Sequence, residues 1–395
     1  MKNLVLLLTL ILAPSIYAAS TWNLNDISYL FDVPRDHAEL LKPTDLSKKG
    51  ALLPSHVFRK IPVLLNGGSS NNKIYSQNLR VVSVRVDACP SLEVGNCHPE
   101  LRLVWQPIRM TKNGVTSDDT AVHTFYKLEN KEFNSLKKKL WMLKKTNEAL
   151  GISTHKKVLN IHPAFSKNKK FLPSLKNILL EFSGEKNFHK ITFMSLLVPT
   201  RWWRFGAFER QTDDSWKSPV IPRLTDRIED LFNTSLDRDA NGQISDFGMD
   251  AIINIFPTTY PKEDIIFGIT SAGFRFEDDR DLPVFKKQLD AVARFRNPHK
   301  TNPDILNCSS CHFADATKGY AERRFPSLKE NKSSDEFLNP NKYLYDLKNT
   351  TKLPTSARIV RAFGFFDNSP AINQRVINDS AVSAEWMNKF HKIKE

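Results

Sequence analysis

Apolar and polar residues alternate over residues 79–86 and again over 101–105, the two-residue period of strands that turn one face to a core. The short connection between them predicts a β-hairpin. Residues 190–198 read as a further strand. In between, Phe133, Leu136, Leu140 and Leu143 follow helical spacing, with Lys137, Lys138, Lys139, Lys144 and Lys145 around them. Such a basic amphipathic helix can lie on an anionic membrane, but its ordinary role is a surface helix whose apolar stripe faces the core. The Gly-Gly-Ser-Ser-Asn-Asn run at 67–72 predicts a loop. Further on, Pro283 sits where a helix can start, and Phe285, Leu289, Val292 and Ala293 share a face. Towards the end Val382, Trp386, Phe390 and Ile393 recur at helical spacing, with Asp379 or Ser380 placed to cap them.

These elements predict an α+β domain over 19–222 with a hairpin-containing sheet, a connecting region over 223–280, and a mainly α domain over 281–395. A length of 395 residues suits two to three such units. No internal repeat is visible, so solenoids and propellers are not expected.

The first eighteen residues bear on where the chain works. Lys2 precedes an apolar run over 4–13, and Ile16, Tyr17 and Ala18 close the segment. A positive start, a short apolar stretch and a small residue at the exit describe a secretory signal peptide over 1–18. The run is too short to cross a bilayer core of ~30 Å as a helix. No later stretch approaches eighteen uninterrupted apolar residues, so no transmembrane span is expected and the mature chain is expected to be periplasmic or secreted. In an oxidising compartment Cys89 and Cys97, which flank the hairpin connection, read as a disulfide. His98 follows Cys97 and makes a metal pair conceivable, but no second cysteine pair at zinc spacing accompanies it.

Composition excludes bulk disorder, collagen and coiled coil, since 41% of residues are hydrophobic and 25% charged. The charge balance is basic: 57 Lys and Arg against 43 Asp and Glu give +14. No nucleic-acid motif accompanies that charge. The partners it implies are an acidic redox protein or an anionic envelope polymer. Arg201, Trp202, Trp203, Arg204 and Trp216 would grip sugar rings if exposed, although burial is the usual fate of large aromatics. Asp237, Asp239, Asn241 and Gln243 match the opening positions of an EF-hand calcium loop over 237–248, with Gly242 at the sharp turn. Position 12 is Gly248 instead of the bidentate Glu, so calcium and a simple Asx-rich turn both stay open. No phosphate loop, zinc helix or nucleophile elbow is present.

Cys308, Ser309, Ser310, Cys311 and His312 form Cys-x-x-Cys-His, the attachment signature of c-type haem. Two thiols at that spacing reach the two vinyl groups of one haem, and the next residue places an imidazole under the iron. A thioredoxin-like dithiol would follow a strand, which residues 302–304 do not provide, and a zinc site would need another ligand pair. Residues 281–395 therefore resemble a single-haem cytochrome c. The resemblance implies one covalent haem on Cys308 and Cys311, His312 as proximal ligand, and helices before and after the motif. In that family a methionine on a loop before the last helix completes the iron. Residues 352–375 hold no Met, His or Cys, which leaves Met387, inside the terminal helix, as the distal candidate, with His391 and His299 nearby in sequence. A distal methionine implies electron transfer, whereas an open position implies a haem enzyme or gas sensor. His123, His155, His162, His189 and the Arg201/Arg204 pair are the candidate distal groups for such an enzyme. A third reading is a non-catalytic envelope-binding protein built on Trp202, Trp203 and Trp216.

Overall fold

The computed structural model describes residues 21–33, 39–61, 64, 71–88, 98–112, 114–117, 120–153, 158–197, 202–217, 252–255, 282–301, 312, 314–315, 318–319, 321–323, 325–330, 332–338, 363–366 and 368–390. Its strands are β1 (Ser28–Leu30), β2 (Leu46–Ser47), β3 (Gly50–Ala51), β4 (Leu79–Asp87), β5 (Glu100–Thr111), β6 (Gly114–Ser117), β7 (Thr120–Lys127), β8 (Phe188–Leu197), β9 (Trp202–Arg210), β10 (Trp216–Lys217), β11 (Ile252–Ile255), β12 (Phe363–Phe366) and β13 (Ser369–Ile372). The principal helices are α1 (Leu24–Ile27), α2 (Asn130–Ala149), α3 (Phe171–Phe182), α4 (Leu282–Arg296) and α5 (Gln374–Phe390).

A nine-stranded antiparallel sheet dominates the described residues, in the order β1-β4-β5-β7-β8-β9-β10, with β6 on β5 and β11 on β9. This corrects the expected fold class. The hairpin is part of a much larger sheet, helices are few, and the C-terminal region does not stand as a mainly α domain. Its described parts are α4, α5, short helical turns and the β12–β13 hairpin, which the sequence did not predict. The physical reason is that the outlying strands show no alternation strong enough to read alone. Phe363, Gly364, Phe365 and Phe366 form an apolar run, and their partners are polar side chains of the sheet.

Register sorts the sheet's residues onto two faces, because side chains alternate along each strand. On one face Leu103, Trp105, Val122, Tyr126, Ile191 and Phe193 are buried in the main core, together with the stripe of α2. Phe171 on α3 meets Tyr29 of this face at 6.3 Å between rings. Phe133, Leu136, Leu140 and Leu143 are all buried, as their spacing predicts. Lys137 and Lys144 are buried too, against the reading that the lysines merely surround the stripe.

The opposite face is more polar. One row across it runs Leu30, Ser83, Val104, His123, Thr192 and Ala207, each paired with the next. The adjacent row runs Ser28, Arg85, Arg102, Phe125, Lys190 and Glu209. The C-terminal region docks on this face. Ser83 donates to the Phe363 carbonyl at 3.0 Å, and Gln106 accepts from Phe365 N at 2.7 Å while donating to its carbonyl at 3.1 Å. Ser28 and Ser380 share a hydrogen bond of 2.6 Å. Asn373, whose side chain accepts from Val376 N at 2.9 Å, caps α5, so the helix starts earlier than Asp379 or Ser380 would allow.

Among the described residues no helix is long and apolar enough to cross a membrane.

Candidate functional site

Of the proposed haem ligands, His312 lies within the described residues and Cys308 and Cys311 lie outside them. His312 is helical and only 8% exposed. Its ring rests on the polar face of the sheet, 5.4 Å from the Phe205 ring and 6.4 Å from the His123 ring, centre to centre. The two imidazole planes lie 26° apart. Phe205 pairs with Met194 across β8 and β9, so the buried Met194 side chain stands beside the same spot.

Local chemistry holds the turn of His312 in place. Asp315, one helical turn on, is buried and forms an ion pair with Arg296 at the end of α4. Its second oxygen accepts from Gln374 N at 2.8 Å, at the first residue of α5. Asn378 then donates to the Arg296 carbonyl at 2.6 Å. Arg375 spans from Asp379 (2.8 Å) to the carbonyls of Phe295 and Thr301 (both 2.7 Å). Three segments distant in sequence thus close around one helical turn. Every link is a charged or amide group placed where water is scarce.

Electrostatics at the site favour anions and neutral imidazole. Arg85 and Arg102 sit one row from His123 on the same face. Burial pushes the His123 imidazole well below its usual pKa, and Arg102, His312 and Arg85 push it further. Burial likewise brings the Arg102 guanidinium down to about 10, Arg85 adding to the effect. Arg102 lies over the Phe125 ring at 4.3 Å, and its Nε is buried without a hydrogen-bond partner. The Arg85 Nε is likewise buried without a partner, while its two terminal nitrogens reach Asp379 at 2.7 Å and Asp87 at 2.8 Å.

Met387, His162, His189, His299 and Trp216 are engaged elsewhere. Met387 is fully buried in the apolar cluster of the main core, and Asn388 beside it exchanges hydrogen bonds with Trp22 N and O at 2.8 and 2.9 Å. The methionine is therefore a core residue. His162 stacks on Phe171 at 4.5 Å, His189 reaches Glu100 at 2.8 Å, and His299 packs on Phe337 at 5.5 Å. Trp216 packs on Phe188 at 4.8 Å and is half-buried. The Cys89–Cys97 pair, the calcium candidates Asp237, Asp239, Asn241 and Gln243, and His155, Arg201 and His391 all lie outside the described residues. Among the described residues no group of three or more His, Cys, Asp or Glu forms a metal cage. Arg102, Phe205, Met194 and Asp315 are the site residues that sequence reasoning missed, because only strand register and tertiary contact bring them to His312.

Compared with protein-family models, with curated proteins and with solved structures, the chain matches none.

Proposed function

We propose that this chain is an exported electron-transfer protein carrying one covalently bound haem c, attached through Cys308 and Cys311, with His312 as the proximal iron ligand. The observation that carries the reading is the Cys-x-x-Cys-His motif itself. Each cysteine S–H adds across one vinyl C=C, sulfur to one carbon and hydrogen to the other, so attachment needs no oxidant. When bound, the haem supplies a one-electron Fe(III)/Fe(II) couple.

The residues around His312 fit that group. A haem is flat and apolar with two carboxylates at one edge. The Phe205 ring and the buried Met194 present apolar surface beside His312, and Arg102 keeps a buried Nε without a partner on the same face of the sheet. The chain's own contribution is to hold the helical turn of His312 through the Asp315–Arg296 pair, to bury the imidazole, and to set cationic groups near it. A net charge of +14 favours encounter with an acidic redox partner over a neutral one. An anionic envelope polymer is the other partner that charge suits.

The experiment is maturation of the full chain in cells that attach haem c, followed by a haem stain of the exported protein on a denaturing gel. A stained band that disappears when Cys308 and Cys311 are both replaced by Ala supports the reading. A protein that folds without covalent haem under those conditions contradicts it.

A further inference from the structure

Resting on the haem reading, we propose that His123 is the second axial ligand, so that β7 of the sheet supplies one imidazole and the C-terminal motif the other. With a metal–nitrogen bond of about 2.0 Å and a ring centre about 1.1 Å behind each nitrogen, two imidazoles on opposite sides of one ion have centres about 6.2 Å apart. The His123 and His312 rings lie 6.4 Å apart with planes 26° from parallel. His162 and Phe171 lie 4.5 Å apart in direct stacking contact, and the packed Phe193 and Phe208 rings lie 6.2 Å apart. The His123–His312 spacing fits two ligands of one ion.

His123 is placed as a ligand needs to be. It sits at the middle of β7, hydrogen-bonded into the sheet with Val104 of β5 on one side and Thr192 of β8 on the other. A residue on a central strand holds its backbone more closely than one on a loop, which is what a preorganised site requires. The helical turn that carries the opposing imidazole is tied through Asp315 to Arg296 and Gln374.

The rivals are fewer than the sequence implied. Met387 is spent in the main core beside Trp22, and His162, His189 and His299 are each engaged with other rings or carboxylates. Met194 is the thioether nearest by register, since its strand partner Phe205 lies against His312. Two imidazoles make a six-coordinate low-spin iron with a lower potential than a His/Met pair, and they leave no position for oxygen or carbon monoxide. The protein would be an electron carrier and not a gas sensor. Its cofactor would also cross-link the first half of the chain to the last third.

The test uses the full-length, haem-loaded protein and reads ferric electron paramagnetic resonance, the far-red sulfur-to-iron absorption band, and carbon monoxide binding after reduction. Wild type is expected to give a low-spin bis-imidazole signal, no sulfur band and no shift with carbon monoxide. In His123→Ala the haem stays attached on a denaturing gel, the iron turns high-spin and binds carbon monoxide, and added imidazole restores the low-spin signal. His123→Met is expected to raise the potential and to create the sulfur band. A wild-type sulfur band that Met194→Ala removes would overturn the proposal and assign Met194 instead. An unchanged low-spin signal in His123→Ala would overturn it as well, with covalent haem intact. Should the variants fail to fold, the wild-type spectrum alone still decides between nitrogen and sulfur. Absence of covalent haem in wild type would remove the haem reading itself, and this proposal with it.

Discussion

Arg85 on β4 donates from Nη1 to Asp379 on α5 at 2.7 Å, and both side chains are largely withdrawn from water. The pair fastens the last helix to the sheet face that also carries His123. Burial on its own would raise the Asp379 carboxyl, but Arg375, Arg85 and Arg102 together hold it below its usual pKa. A carboxylate so depressed adds stability in full above its unfolded pKa, near 4, and loses it as pH falls through the lower folded value. Asp379→Asn leaves Arg85 and Arg375 without that partner. It is expected to cost about 3 kcal/mol in urea unfolding at pH 7 and to flatten the loss of stability below pH ~4. A cost under ~1 kcal/mol would mean the pair is not a fastening.

A second pH dependence comes from His162. Burial, helped by Lys144, pushes its imidazole down to about 3, and its Nδ1 accepts from Ala164 N at 3.2 Å. Between the unfolded value near 6.5 and the folded one, the unfolded chain binds one more proton. Stability is then full above pH ~6.5 and falls by up to about 1.4 kcal/mol per unit as pH drops through that window. Unfolding measured from pH 7 to pH 4.5 should show this slope, and His162→Phe should lower it by that amount. Equal slopes in the two proteins would rule out a buried neutral His162.

Gly364 in β12 tests the docking of the C-terminal hairpin. A Cβ built there overlaps Gln106 Oε1 and comes within 3.0 Å of Cδ. Gln106 is buried and tied to Phe365 by two hydrogen bonds, so it has little room to give way. Gly364→Ala is expected to destabilise by about 1–3 kcal/mol, as overpacking does. Protection of β12 amide hydrogens against exchange should fall in parallel. No change in either would mean that the hairpin does not seat on Gln106.

Legibility in the sequence followed the strength of local periodicity. The alternation at 79–86 and 101–105 marks β4 and β5, the run at 190–198 overlaps β8, and the stripe from Phe133 to Leu143 lies in α2. Pro283 lies in the first turn of α4. The extent of the sheet was not legible, because β9, β11, β12 and β13 are defined by partners and carry little pattern of their own. Buried charge was equally hidden. Lys144 reads as one lysine among five, yet its side chain is 1% exposed and bonds Asp26 at 2.8 Å, a partner over a hundred residues away. At the site, the motif named His312, while His123 was one histidine of several until register set it opposite. Met387 follows the motif in sequence, but it is buried in α5 on one stripe with Ile377, Ser380 and Ala384, a stripe that packing and not apolar spacing reveals.

The proposed electron transfer requires a haem held covalently by this chain. The most direct measurement is the optical spectrum of the purified, exported wild-type protein, oxidised and then dithionite-reduced, with the same sample stained for haem on a denaturing gel. A stained band at the mature size is expected, with the sharp reduced bands of a six-coordinate low-spin c-type haem, unmoved by carbon monoxide. A folded protein with no haem absorbance and no stain would contradict it.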